Sequence, residues 1–188
     1  CNGPYGGIIY CQDSSPVFEN LTVHGNNAGN TGAAFRFISC AAVIRNSILW
    51  GNVPDEILVE GDPDPLVCYS NVMSTWPGPG NIEANPEFGW PGLWTVDPLD
   101  PNSVWSPGDY HLPSDNGRWD PNSLTWTTDT LTSPCIDAGD PNSPWQQEPP
   151  PHGNRINMGV YGGTHQASRS PEEPAGSIIL NSALDDRP

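Results

Sequence analysis

Lysine is missing from this chain, which leaves six arginines as its strongly basic side chains. They stand against 22 aspartates and glutamates, so the formal net charge is −16 at pH 7. Proteins that bind nucleic acid or anionic lipid need a basic footprint, because both partners carry dense negative charge. The composition therefore argues against nucleic acid as a partner and favours an acidic extracellular surface that binds cations.

Long apolar runs are also missing. The longest, residues 37–44, is interrupted by Ser39 and is far shorter than the roughly 20 residues of a transmembrane helix. No apolar leader opens the chain, and its first three residues resemble the middle of a repeat. We expect no membrane insertion, and we expect an excised part of a longer exported precursor. A lipid-modified Cys1 is the alternative.

The residues that are present form repeats. Segments 7–26 and 33–52 share one pattern at a 26-residue offset, and a third copy follows after a 23-residue step. Phe18 thereby aligns with Ile44 and then with Val67. Units of this length cannot bury their own apolar face alone, which is typical of a solenoid. Apolar positions two or three apart, bounded by Gly-Asn and Ser-Pro pairs, favour short strands, so these three side chains should form one buried ladder.

Three strings of the sequence resemble a known family. Residues 6–26, GGIIYCQDSSPVFENLTVHGN, are similar to the coil consensus of right-handed parallel β-helix repeat proteins of large secreted bacterial surface proteins. SPCIDAGDPNSPW and GNRINMGVYGG resemble the segments that close such domains. The resemblance implies an all-β fold, a right-handed parallel β-helix of about three coils. It implies little about function, because most such proteins are known only by their fold.

Proline and tryptophan are concentrated after the repeats. Residues 77–151 hold 15 of the 23 prolines and most of the tryptophans, which excludes helices and central strands. We expect β-helix coils over 1–85, with 81–88 leaving the stack. An irregular Pro/Trp-rich cap should follow over 86–167, folded against the side or end of the stack. Residues 168–188 should form a linker and an extended C-terminal strand.

Cysteine spacing leaves two interpretations open. The five cysteines define no disulfide framework, and none has the spacing of a zinc site. Cys11 and Cys40 are 29 residues apart, and Cys40 and Cys68 are 28 apart, each slightly more than one repeat. The cysteines therefore either bridge adjacent coils or serve as small buried side chains.

Aspartate-rich loops are candidate calcium sites. Asp-Pro-Asn-Ser occurs at Asp100, Asp120 and Asp140, and Asp before Pro favours a turn in which the carboxylate caps its own backbone. Calcium takes six to eight oxygen ligands from loops of this kind. Asp97, Asp100, Asp137 and Asp140 are the candidate metal ligands, although no segment fits the EF-hand pattern.

Catalytic chemistry has little support in the sequence. Lyases of this fold use a lysine or arginine base beside calcium-binding carboxylates, and lysine is absent. Asp13 and Glu19 do not recur in the second repeat, and His111, His152 and His165 have no visible partners. We expect no catalytic residues, with a lyase or hydrolase fragment as the remaining enzymatic alternative. A carbohydrate-binding module is the stronger alternative, because exposed aromatic rings stack on sugars.

A structural role is the expectation that the sequence favours. A stack that begins in mid-coil has an uncovered end, and recruiting another copy there gives a head-to-tail homopolymer, an extracellular or cell-surface filament. The tail after the linker either folds back or adds to the next subunit as a strand. Asn20-Leu21-Thr22 is a candidate glycosylation site. The assembly residues in the tail are Ile178, Ile179, Leu180 and Leu184.

Overall fold

The computed structural model of the protein describes residues 8–27, 33–97, 100 and 102–171. This part of the chain is all-β; it holds no helix, and hence none long and apolar enough to cross a membrane. Its strands are short. They are β1 Ile9–Gln12, β2 Val17–Glu19, β3 Thr22–His24, β4 Ala33–Ile38, β5 Val43–Arg45, β6 Ile48–Trp50, β7 Asp55–Glu60, β8 Leu66–Cys68, β9 Asn71–Val72, β10 Leu93–Trp94, β11 Trp105–Ser106, β12 Arg118–Asp120 and β13 Thr125–Thr127.

Each of the three sequence repeats contributes one strand to each of three parallel sheets. The strand orders are β1-β4-β7, β2-β5-β8 and β3-β6-β9. In the second sheet Phe18 pairs with Ile44 and Ile44 with Val67, so the predicted register of the ladder is confirmed, and Ile44 and Val67 are buried while Phe18 is half-buried. Parallel strands stacked in this way are consistent with a β-helix-like fold.

The chain bends after each strand at residues in the left-handed backbone region. Each bend recurs in all three repeats, so positive-φ residues are also stacked. Glycine and asparagine adopt this conformation at little cost, which explains the repeated Gly-Asn and Asn positions in the sequence. The φ angles lie between 46° and 76° at Asp13, Ser39 and Gly61, at Asn20, Asn46 and Tyr69, and at Gly25, Gly51 and Ser74.

The interior of the stack is apolar, and its side chains are more buried in the second repeat than in the first. Phe35, Phe37 and Ile44 of the second repeat are all 0% exposed. Phe18 of the first repeat is half-buried, and its ring meets the edge of Phe35 at 5.3 Å between centroids. The second repeat is therefore the best-protected part of the core, because it has a neighbour on both sides.

Polar side chains also stack, at the bend between the second and third sheets. The hydroxyl of Ser47 accepts from the Leu21 N–H at 3.1 Å, and the hydroxyl of Ser70 accepts from the Ser47 N–H at 3.1 Å. The Asn81 side chain continues the series by accepting from the Ser70 N–H at 3.0 Å. The backbone N–H groups at this bend do not bond within the sheets, and each donates instead to a side chain one repeat further along the stack.

The first residues after 80 still belong to the stack. Ile82 forms a parallel bridge with Asn71, with backbone hydrogen bonds to Ser70 and Val72 at 2.9 and 3.0 Å. The expectation that 81–88 leaves the stack is therefore wrong for its first residues. Asn81 causes the difference, because its amide group takes the place of a ladder serine.

The proline-rich region packs on the side of the stack. Leu112, Cys135, Ile136 and Met158 form a second buried cluster with Ile48, whose side chain lies on the outward face of β6. The described part of this region has only two short antiparallel pairs, β10 with β11 and β12 with β13. Its irregular backbone thus covers the outward face of the third sheet.

Candidate functional site

A polar cleft of about 300 Å³ lies where the bend after the second sheet meets the C-terminal segment. Its walls come from two adjacent repeats on one side and from residues 140–163 on the other. Seven polar side chains define its chemical character. They are Glu19, Asn20, Arg45, Asn46, Asp140, Asn142 and Ser143.

Two stacked asparagines fix the floor of the cleft. Asn46 is 1% exposed; its amide oxygen accepts from the Asp140 N–H at 2.7 Å, and its amide nitrogen donates to the Ser143 hydroxyl at 2.9 Å. Asn20, one repeat earlier, donates to the Gly162 carbonyl at 2.8 Å. These asparagines therefore bend the chain and also anchor the C-terminal segment.

Charged groups form the rim. Glu19 and Arg45 are register partners on β2 and β5, and their side chains make an ion pair with 43% and 41% exposure. Such an exposed pair contributes little to stability, because water screens it. The rim thus offers one cation and the carboxylates of Glu19 and Asp140 to a polar ligand.

The Asp-Pro-Asn-Ser segments are turns. The carboxylates of Asp100, Asp120 and Asp140 each accept from the backbone N–H two residues ahead, at 2.8, 2.9 and 2.9 Å. The predicted capping turn is confirmed at all three positions. In Asp120, these local donors lower the pKa of the carboxyl group.

The predicted calcium ligands do not meet at one point. Asp97 and Asp100 are exposed, Asp140 lines the cleft, and half-buried Asp137 accepts from the Gly153 N–H at 3.1 Å. Burial raises the pKa of Asp137. In the described ranges no three or more His, Cys, Asp or Glu side chains are grouped to hold a metal ion. Calcium binding at these aspartates stays a prediction.

The structure gives His111 the partners that the sequence did not reveal. Its ring is 1% exposed; Nδ1 lies 2.5 Å from Asp109 Oδ1 and Nε2 lies 3.3 Å from Gln166 Oε1. The Tyr161 ring stacks on it with centroids 3.6 Å apart. The sequence signal for this pair is the segment Asp109-Tyr110-His111, which places a carboxylate two residues before the ring. The buried ring thereby joins the segment of Asp109 to that of Tyr161 and Gln166.

Arg118 extends the same network. Its guanidinium lies 2.9 Å from an Asp109 oxygen and 3.1 Å from an Asp129 oxygen, and all three side chains are at most 21% exposed. The cation compensates two largely buried carboxylates, which would otherwise be costly to desolvate. This network is an electrostatic anchor of the proline-rich region.

Two further carboxyls are buried and accept hydrogen bonds from amide N–H groups. Glu148 is 4% exposed and accepts from the N–H groups of Asn157 and Gly163 at 2.9 and 2.7 Å. Glu56 is 5% exposed and accepts from the Asn52 N–H at 3.0 Å and from the Asn52 amide. Burial raises the pKa of each to about 7. No sequence pattern distinguishes these glutamates from exposed ones.

The tryptophans serve mainly as packing groups. Trp94 donates its indole N–H to the Gly25 carbonyl at 2.9 Å, and the Trp105 ring lies against Gly25, where a Cβ would come within 2.7 Å of it. Trp119 and Trp126 meet edge to face at 5.7 Å. These rings are half-buried, so they attach the proline-rich region to the stack and to itself.

The remaining predicted sites are the glycosylation sequon and the assembly residues of the tail. At the candidate glycosylation site, the Asn20 side chain is half-buried, and the Thr22 hydroxyl accepts from the Val160 N–H at 3.0 Å. Glycosylation there stays a prediction. The assembly residues Ile178, Ile179, Leu180 and Leu184 lie outside the described residues.

No protein-family model, curated protein or solved structure matches this chain. Its fold and its cleft therefore have to be interpreted from its own residues.

Proposed function

We propose that the chain is a non-enzymatic structural module of an extracellular or cell-surface assembly, joined head to tail with further copies. The fold proposed for it is a right-handed parallel β-helix of about three coils, with residues 86–167 as an irregular cap. The observation that carries the proposal is the incomplete burial of the first repeat.

The first repeat presents apolar side chains that the second repeat buries. Ile9 and Phe18 are half-buried, whereas their register partners Phe35 and Ile44 are 0% exposed. Among the described residues β1, β2 and β3 each pair with one strand only. An apolar end with unpaired backbone is the kind of surface that another strand extends.

The other edge strand of the first sheet, β7, also has a partner on one side only among the described residues. In the described chain β7 pairs with β4 alone, along the register from Ala33↔Asp55 to Ile38↔Glu60. Docking β1 of one copy on β7 of the next would continue a parallel sheet across the joint. Such a contact uses two different surfaces, so it repeats without closing and gives a fibre.

Light scattering of the purified chain over a range of concentrations and salt tests this proposal. Salt matters because a net charge of −16 makes copies repel one another. The expected result is growth of large species with concentration, most clearly at high salt. A strict monomer under all conditions would overturn the proposal.

A matched pair of variants locates the joint. Ile9→Lys places a charge in the half-buried end of the stack, whereas Leu124→Lys places it on a side chain that is 68% exposed in the proline-rich region. We expect the first variant alone to stay monomeric, with an unchanged circular dichroism spectrum. Equal assembly of both would exclude the first repeat as the contact.

The tail is tested separately by deleting residues 172–188. Strand donation by the tail requires that the shortened chain keeps its circular dichroism spectrum but no longer assembles. Filaments that persist after the deletion would leave stack-to-stack docking as the joint.

Carbohydrate binding is the second candidate, favoured by the polar cleft with its carboxylate, guanidinium and amide groups. Its test is a glycan array probed with the wild type and with Arg45→Ala. Retention that the substitution abolishes would support binding in the cleft, and no retention would dispose of it.

Calcium in the acidic loops is the proposed cofactor. Binding to the folded state alone must raise the melting temperature by mass action. Melting curves in EDTA and then in excess calcium should therefore differ, and identical curves would remove calcium from the proposal.

A further inference from the structure

Two of the five cysteines lie together in the core of the stack. Cys11 is on β1, in register with Phe37, and Cys40 follows β4 just after the bend at Ser39. Cys40 is 0% exposed and belongs to the main apolar cluster, and half-buried Cys11 packs against that cluster. Both side chains thus pack in one apolar cluster, and burial, followed by the neighbouring Cys40 thiol, raises the pKa of the Cys11 thiol.

A polar group of the first repeat completes the site. The Ser14 hydroxyl lies 3.5 Å from Cys40 Sγ, one repeat away along the stack. A hydroxyl at this distance can donate to a thiolate that forms on Cys40. The pair therefore spans the first and second repeats, with one side chain reachable from solvent and the other enclosed.

The other cysteines are placed elsewhere. Cys68 is the register partner of Arg45 on the outward side of β8, and Cys135 lies in the second cluster, where the Asn71 amide donates to its sulfur at 3.0 Å. Cys1 lies outside the described residues. The spacing of 28 residues between Cys40 and Cys68 thus brings no contact, although the sequence makes it as plausible as the spacing of 29.

We propose that Cys11 and Cys40 are a dithiol that closes to a disulfide on mild oxidation and so cross-links the first repeat to the second. The four cysteines of the described chain are free thiols in this structure, which is the reduced state. The bridge would fix the first repeat, whose apolar side chains are half-buried, to the second repeat, whose Phe35, Phe37 and Ile44 are buried. It would thereby stabilise the weakest end of the stack.

The reaction needs a small disulfide, such as oxidised glutathione, as the oxidant. The Cys11 thiolate attacks one of its sulfurs, forming a mixed disulfide and releasing one thiolate. The Cys40 thiolate then attacks Cys11 Sγ and displaces the second. Two S–H bonds are lost and one S–S bond forms, while the two electrons reduce the oxidant to two thiols. Because the pKa of Cys11 is raised, little of its thiol is ionised at neutral pH, and the first step becomes faster as the pH is raised.

The experiment is oxidation of the full chain with oxidised glutathione at alkaline pH, followed by thiol counting in denaturant and tryptic mapping. Arg36 separates the two cysteines, so trypsin places Cys11 and Cys40 on different peptides. The expected results are loss of two of the five thiols, a linked peptide pair containing Cys11 and Cys40, and a melting temperature that rises by roughly 5–10 °C.

Single serine variants give the matched controls. Cys11→Ser or Cys40→Ser should abolish both the linked pair and the rise in melting temperature, whereas Cys68→Ser and Cys135→Ser should keep them. The Cys1→Ser variant shows whether Cys1 or Cys11 is bonded, since both lie on one tryptic peptide. Five remaining thiols, or a bridge through Cys1, Cys68 or Cys135, would overturn the inference.

Discussion

The repeat stack and the proline-rich region are held together by different kinds of contact. In the stack, backbone hydrogen bonds between register partners do the joining, and side chains fill an apolar interior. In the region after residue 85, few strands pair, and side chains bind backbone groups instead. Periodic structure distributes its stability over many equivalent contacts, whereas irregular structure depends on a few particular ones.

Truncating the centre of the stack should have the largest effect. Ile44 is 0% exposed and sits between Phe18 and Val67 in the ladder. Ile44→Ala should lower the free energy of unfolding by about 2–5 kcal/mol, as for other buried aliphatic residues. Urea denaturation measures the change. A change below about 1 kcal/mol would show that the interior is not packed around this position.

The corresponding test in the proline-rich region is Arg118→Ala. It removes the cation that lies between Asp109 and Asp129 and leaves two poorly solvated carboxylates behind. We expect a loss of about 2–4 kcal/mol in the same urea experiment. A matched Asp109→Asn, Arg118→Ala double variant should lose less than the sum of the single changes, because the partners form one network.

The two regions also differ in how much of their structure the sequence predicts. The repeat alignment places Phe18, Ile44 and Val67 on one ladder because a parallel stack forces equivalent residues into register. Irregular structure has no such constraint. The proximity of Asn46 to Asp140, 94 residues away, follows from tertiary packing alone. The sequence pattern therefore could not predict the cleft. It did predict the turn of the Asp-Pro-Asn-Ser segment that lines the cleft.

Each region also contains one buried glutamate, and both predict the same pH dependence. The pKa of Glu56 and of Glu148 is raised to about 7 by burial, above the value of an unfolded glutamate. The folded state thus binds protons more tightly, so this contribution to stability is fully present below about pH 4.5, is lost as the pH rises to about 7, and then levels off because both states are ionised. The expected decline is about 2–3 kcal/mol for each group.

Glutamine variants separate the two contributions. Glu56→Gln should remove the pH dependence that arises in the stack, and Glu148→Gln should remove that of the proline-rich region. Urea midpoints between pH 5 and 8 provide the measurement. If the double variant keeps the full pH dependence, the buried glutamates do not cause it.

The smallest effect is expected at the ion pair on the rim of the cleft, and it sharpens the contrast with Arg118. Arg45 faces Glu19 across two stacked strands, but both side chains are more than 40% exposed. Water already solvates them, so Arg45→Ala should cost less than about 1 kcal/mol. Urea denaturation of this variant beside Arg118→Ala compares the same chemistry in two surroundings. Equal losses would mean that burial does not set the strength of these ion pairs. Because the substitution should leave the fold intact, it can also remove the cation from the cleft without disturbing the asparagines beneath it.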